Sequence, residues 1–159
     1  MLLFMTDGEL AARLLHPSTH VDKTYHARVA GRLSPFDVKR LCEGVELDDG
    51  MTAPAEVRTL SDFEGRDVCD PSMHAGDDLV EVVLHEGRKR QVKRMLSYVG
   101  HPVFRLNRVS FGPITAAGLP VGKWRLLNAA EVEALRKATE TGRYTGTRPG
   151  VDPRSLKKS

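Results

Sequence analysis

The sequence predicts an α+β fold, a mixed and mainly antiparallel sheet flanked by helices. Runs rich in β-branched residues, such as Leu79–Leu84, read as strands. Other stretches repeat their apolar residues at helical spacing, as Val92, Met95, Leu96 and Val99 do at i, i+3, i+4 and i+7. The two kinds of segment are mixed without a regular β-α-β alternation, which argues against a parallel, doubly wound sheet. A chain of 159 residues, 40% hydrophobic and 28% charged, is long enough for one domain with a real core.

Each element has its own warrant. After an apolar start at Met1–Met5, Thr6-Asp7-Gly8-Glu9 matches a capping box, with Thr6 at the N-cap and Glu9 at N3. Leu10, Ala11, Leu14 and Leu15 continue as a short amphipathic helix that stops near Pro17. Val21–Val29 alternates, with Val21, Tyr25, Ala27 and Val29 on one face of a strand. Ser34 and Pro35 open a second helix through Val38, Leu41 and Cys42, closed by Gly44. Asp48-Asp49-Gly50 is a turn between two short strands. Ser61–Asp78 is polar and aperiodic, and reads as a long hairpin loop, the least constrained part of the body. The strand Leu79–Leu84 and the helix of Val92–Val99 follow, with Gly100 and Pro102 as the stop signal. Val103–Phe111 is a strand carrying Arg105 and Arg108, and Trp124–Leu127 a last short one. Asn128 with Glu131 caps a C-terminal helix through Val132 and Leu135. From residue 141 on, Gly, Pro, Arg and Lys dominate, which predicts a disordered basic tail beyond a body of residues 1–140.

The densest chemical signal lies between the strand at Leu79 and its helix. Arg88, Lys89, Arg90, Lys93 and Arg94 place five cations within seven positions. A helix N-terminus carries partial positive charge and disfavours cations, so local stability does not account for Arg88, Lys89 and Arg90. A bound polyanion would remove the conflict, and nucleic-acid phosphate is the obvious one. A solvated basic face is the plain alternative. The order of strand, Gly87, basic cluster and apolar helix favours a site.

The net charge is only +3. The tail holds Arg143, Arg148, Arg154, Lys157 and Lys158 against Asp152, so the body is near neutral with local basic clusters. That pattern suits a protein that grips phosphate at defined places. Cys42 and Cys69 are far apart and form no C-x-x-C pair, which with no signal peptide reads as a reduced, cytoplasmic chain. No apolar run is long enough to span a membrane. The six histidines show no metal-ligand spacing and are expected at the surface or near RNA; no metal is expected.

Ordered landmarks run along the chain. They are Thr6-Asp7-Gly8-Glu9-Leu10-Ala11, His16-Pro17, Lys23-Thr24-Tyr25, Gly44-Val45 and Leu47-Asp48-Asp49-Gly50. Then come Glu86-Gly87-Arg88-Lys89-Arg90-Gln91-Val92-Lys93-Arg94-Met95, Val99-Gly100-His101-Pro102, Leu106-Asn107-Arg108-Val109 and Gly122-Lys123-Trp124-Arg125. In this order they resemble the small-subunit/large-subunit rRNA pseudouridine synthases over roughly residues 1–137. The resemblance implies the pseudouridine synthase-like fold and isomerisation of a uridine in ribosomal RNA, with large-subunit RNA favoured. It implies no cofactor and no metal, and a target base flipped out of its stack. Recognition would then rest on RNA shape and exposed bases.

Site residues follow from the same resemblance. Tyr25 matches the tyrosine that stacks on the target base, Lys93 the basic residue paired with the family's aspartate, and Leu106 the apolar residue lining the uracil pocket. Val92 and Met95 flank Lys93, which places it on the buried side of its helix by expectation. Arg88, Lys89, Arg90, Arg94 and Arg108 are candidate phosphate contacts, with Gln91 a candidate polar contact. The family's nucleophilic aspartate belongs to a Gly-Arg-Leu-Asp segment just ahead of the Leu-rich stretch in which Met1-Leu2-Leu3-Phe4 lies, so its counterpart is expected before residue 1. Gly31-Arg32-Leu33-Ser34 follows Tyr25's neighbourhood in the chain, ends in Ser and opens a helix, so the role does not pass to it. The chain is accordingly expected to bind RNA and to be inactive alone. A non-catalytic RNA-binding protein built on the same fold is the alternative.

Overall fold

A computed structural model describes residues 1–72 and 75–141. The expected tail, residues 142–159, lies outside the described residues. Helix α1 spans Gly8–Leu15, and β1 spans Lys23–Val29. Helix α2 is Pro35–Glu43, followed by the two-residue strands β2, Glu46–Leu47, and β3, Gly50–Met51. Strands β4, Glu56–Leu60, and β5, Asp78–Leu84, precede α3, Gln91–Tyr98. Strand β6, Val103–Phe111, β7, Ile114–Thr115, and α4, Ala129–Thr141, complete the order. Five strands form one sheet in the order β4-β5-β1-β6-β7, and every pairing is antiparallel.

Local chemistry explains most boundaries. Ser34 and Asp37 close a full capping box at α2, with Pro35 in the first turn. Asn128 and Glu131 do the same at α4, each side chain accepting the other's backbone N–H at 2.9 Å. At α1 the expected cap moves by one residue. Asp7, not Thr6, is the N-cap, and its carboxylate accepts the Leu10 N–H at 3.0 Å. A charged oxygen at this position also suits the helix dipole better than a hydroxyl.

Alternation on β1 divides the molecule. Tyr25, Ala27 and Val29 face a core formed with Val80, Val82 and Leu84 of β5, Leu41 of α2, and Val92, Met95 and Leu96 of α3. Val21 leaves that face and joins a second core with Leu10, Leu14, Phe111, Ile114, Leu135 and Ala138, where α1 and α4 pack over the end of β6. The strand starts only at Lys23, so Val21 escapes its alternation.

Two expectations are corrected here. Trp124–Leu127 is not a strand: the edge beyond β6 is already taken by β7, and Trp124 and Leu126 are exposed. The β4–β5 connection is a hairpin loop as expected, but it is not the least constrained part of the body. Val68 is buried at 1% exposure, and a Cβ on Gly65 would come within 2.9 Å of Leu79 Cδ1. The loop thus packs on the sheet face opposite the helices, and its polar composition hides the two small apolar anchors that hold it there.

Candidate active site and nucleic-acid interface

On the helix-covered face, strand register brings the site together. Tyr25 pairs with Arg108 across β1 and β6, and Ala27 pairs with Leu106 two rungs further along, on the same face. A register shift between Thr24 and Tyr25 skips Val109, which puts Arg108 on the same face as Tyr25 and Leu106. Tyr25 and Leu106 are half-buried and pack against the cluster that contains Val92, Met95 and Leu96. Arg108 donates from Nη2 to the Met1 carbonyl at 3.1 Å, while its Nε is buried with no hydrogen-bond partner among the described residues.

Lys23 completes this corner, although only its place in a motif drew attention to it in the sequence. Its Nζ and the Arg108 guanidinium both lie 5.3 Å from the Phe111 ring centroid. Burial, then the Arg108 charge, holds the Lys23 ammonium below its usual range, against the opposing pull of Asp22 and Glu86. Two cations sharing one ring, with no ion pair to either among the described residues, make an electropositive corner beside Tyr25. The signal was present in Lys23-Thr24-Tyr25, but no spacing rule connects Lys23 with Arg108.

The basic cluster divides sharply. Arg88 is turned into the protein. Its guanidinium donates to the carbonyls of Gly50 at 3.1 Å and Met51 at 2.6 Å, and pairs with Asp49 and Glu86 at 3.3 Å. Gln91 is 3% exposed, donates to Glu86 at 2.7 Å and accepts the Arg88 N–H at 3.1 Å. Arg94 holds Asp49 through two bonds of 2.9 and 3.1 Å, and these hold the Asp49 carboxyl below its usual range. Arg88 and Arg94 therefore fasten the β2–β3 hairpin to the start of α3, and Gln91 holds the Arg88 backbone and Glu86 in place.

Lys89, Arg90 and Lys93 are exposed and have no ion pair among the described residues. With Asp49, Arg94 and Ser97 they line an open groove of about 530 Å³. The expectation that Lys93 lies on the buried side of α3 is thereby corrected. Val92, Met95 and Leu96 take the inward arc, and Lys93 falls on the opposite one. Tyr25 and Leu106 thus meet α3 from beneath, while Lys93 stands on its outer edge.

Arg90 has an unusual backbone. It is the N-cap of α3 at φ 52°, a left-handed conformation, and makes no side-chain capping bond. That conformation costs a non-glycine residue about 1–2 kcal/mol. Strain of this kind concentrates at ligand sites, and here it turns an arginine outward at the mouth of the groove.

His16 and His20 are exposed as expected, whereas His26, His85 and His101 are engaged within the fold. His85 is hydrogen-bonded to Asp22, and His101 joins the Ala30 carbonyl at 2.8 Å to Asp37 at 3.2 Å. His26 lies on the other face of β1, bonded to Asp67 at 2.7 Å and Glu81 at 3.2 Å. Among the described residues no cluster of three or more His, Cys, Asp or Glu could hold a metal ion, and no helix is long and apolar enough to cross a membrane. Cys42 and Cys69 are free thiols.

Comparison with known proteins matches the chain to one family. A profile described as RNA pseudouridylate synthase matches residues 1–98. An uncharacterized RNA pseudouridine synthase of Aquifex aeolicus (strain VF5) is 41% identical over 138 residues, covering 87% of this chain and 51% of that protein. Ribosomal large subunit pseudouridine synthase B of Bacillus subtilis (strain 168) is 35% identical, with 90% of this chain and 55% of the relative covered. The same-named protein of Escherichia coli (strain K12) is 38% identical, with 96% and 49% covered. A solved structure described as a pseudouridylate synthase superposes with a TM-score of 0.68 at 29% identity, covering 81% of this chain and 51% of its own. The chain spans about half the length of these relatives. With the profile spanning more than half of the chain, and a solved pseudouridylate synthase sharing its fold, the chain belongs to the RNA pseudouridylate synthase family.

Proposed function

We propose that this chain is part of the catalytic domain of an enzyme that isomerises a uridine in ribosomal RNA, with large-subunit RNA favoured, to pseudouridine. The observation that carries the reading is the shared face of Tyr25, Leu106 and Arg108, two rungs apart on paired strands, with Tyr25 and Leu106 packed against the core cluster that contains α3. A flipped uracil would stack on the Tyr25 ring and rest against Leu106. Arg108, Lys89 and Arg90 would meet the phosphates on either side. The family's reaction breaks the N1–C1′ bond, turns the uracil, and joins C5 to C1′. The sequence holds no Gly-Arg-Leu-Asp segment, the one to which the resemblance assigns the family's aspartate. Lys93, exposed at the edge of α3, would be the counter-charge awaiting that carboxylate. A ribosomal RNA substrate places the protein in the cytoplasm.

The competing reading is RNA binding without catalysis, favoured by the solvent-facing position of Lys93. Tritium release from C5-labelled uridine in rRNA separates the two. The chain alone should bind rRNA and release no tritium, whereas a longer polypeptide that restores the Gly-Arg-Leu-Asp segment should turn over. In that polypeptide, Lys93→Ala should sharply reduce turnover with little change in RNA affinity, and Lys93→Arg should be milder. Full activity of Lys93→Ala would remove its role. A longer polypeptide that binds rRNA and never turns over would leave the non-catalytic reading.

A further inference from the structure

The far end of α3 carries a feature that the uridine pocket does not use. The Arg40 guanidinium lies 5.6 Å from the Phe36 ring centroid and 5.3 Å from that of Tyr98, so one cation is shared by two aromatic rings. Both rings are open to solvent, Phe36 at 67% exposure and Tyr98 at 48%. Rings of this size belong in a core unless they meet a partner. Phe36 opens α2 and Tyr98 closes α3, so the stack joins two elements that otherwise only share the core below them.

Its position relative to the groove supplies the second argument. Tyr98 stands one helical turn beyond Arg94 and directly follows Ser97, both of which line the groove. From Arg90 to Tyr98 the helix advances about 12 Å. A ligand lying along this edge would meet Lys89, Arg90 and Lys93 first, and the two rings with Arg40 last. A purely apolar partner would strip water from those cations without replacing it. A single nucleic-acid strand satisfies both chemistries, since its phosphates meet the cations and its bases stack on rings and on a guanidinium plane.

We propose that Phe36, Arg40 and Tyr98 form a base-stacking platform for single-stranded RNA, continuous with the groove in which Lys89 and Arg90 meet phosphate. This rests on the reading of the protein as an RNA binder, and adds a second contact for unpaired nucleotides that flank the modified site. The platform tolerates any base, because every base has a π-face.

Fluorescence anisotropy of the 159-residue chain with two labelled probes tests it. One probe is an oligouridylate, the other an abasic oligonucleotide of equal length and charge. The double variant Phe36→Ala, Tyr98→Ala should lose about tenfold in affinity for oligouridylate and keep its affinity for the abasic probe. Tyr98→Phe should bind as the parent does. Lys89→Ala with Arg90→Ala should weaken both probes. Circular dichroism melting of each variant checks the fold. Unchanged oligouridylate binding by the double aromatic variant, or an equal loss on both probes, would overturn the platform and leave the RNA-binding reading intact. Failure of the parent to bind either probe would overturn both. If the aromatic variant instead loses self-association in sedimentation, the face belongs to a second copy of the chain.

Discussion

The two faces of β1 carry comparable charge and use it in opposite ways. On the face away from the helices, Arg58, Glu81, His26 and Asn107 stand opposite one another across β4, β5, β1 and β6, forming one continuous rung. Glu81 accepts from Arg58 at 3.0 Å and meets His26 at 3.2 Å, while Asp67 reaches down from the loop to His26 at 2.7 Å and Asn107 at 2.8 Å. Burial alone would lower the His26 pKa, but its two carboxylate partners outweigh that and raise it to about 9. Burial would raise Glu81, and the bonds from His26 and Arg58 instead hold it below its usual range. Every member has a partner. On the other side, Lys23, Arg108, Lys89, Arg90 and Lys93 make no ion pair among the described residues, although Asp22 and Glu86 act on Lys23 from a distance. A closed network of charges holds a fold together, whereas an open set of one sign needs a ligand.

Breaking the closed network should have the largest effect. Glu81→Gln removes one of two carboxylates from each of His26 and Arg58, which keep Asp67 and Glu64. The expected cost is about 2–3 kcal/mol, the upper part of the range for hydrogen bonds to charged groups. Urea denaturation measures it, and RNA affinity at constant fold should not move. The same network makes stability depend on pH. A histidine whose folded pKa lies above its unfolded value contributes fully below about 6.5 and loses that contribution as pH rises through about 9. The stability difference between the parent and His26→Gln should therefore shrink across that window. A difference that stays constant from pH 6 to pH 10 would mean that His26 is not charged in the fold.

The open side sharpens the comparison through its two classes of cation. Lys89→Ala with Arg90→Ala should weaken RNA binding and flatten its salt dependence by about 1.4, at roughly 0.7 for each lost contact with a single strand. Arg88→Ala should leave the salt slope nearly unchanged and lower stability by about 1–2 kcal/mol, because it unfastens the β2–β3 hairpin. The reverse assignment would erase the distinction between closed and open charge in this cluster. The smallest effect is expected at the strained cap. Arg90→Gly should relieve the positive φ and stabilise the chain by about 0.5 kcal/mol, net of the entropy of glycine, while still losing RNA affinity. Stability and binding moving in opposite directions at one residue would mark it as a ligand contact.

Periodicity made most of the framework legible. The alternation around Tyr25, the apolar arc of Val92, Met95 and Leu96, and the caps at Ser34 and Asn128 are local patterns, and the structure reproduces them. The seven-position basic cluster was equally visible, yet its division was not. Arg88 and Lys89 are neighbours in sequence with identical charge. What separates them is Asp49 and the carbonyls of Gly50 and Met51, brought from almost forty residues away. The apolar neighbours of Lys93 predict a buried position for it, but the orientation of the helix on the sheet turns it outward. The rung through His26 and Glu81, and the skipped Val109 that turns Arg108 towards Tyr25, depend on strand register. Sequence alone determined most of the helices and strands, to within a residue or two at their starts, and which residues could bear charge, since capping and periodicity act over a few residues. Only the tertiary structure decided which of those charges are satisfied, because counter-charges come from elements distant in the chain and no local rule sets their pairing.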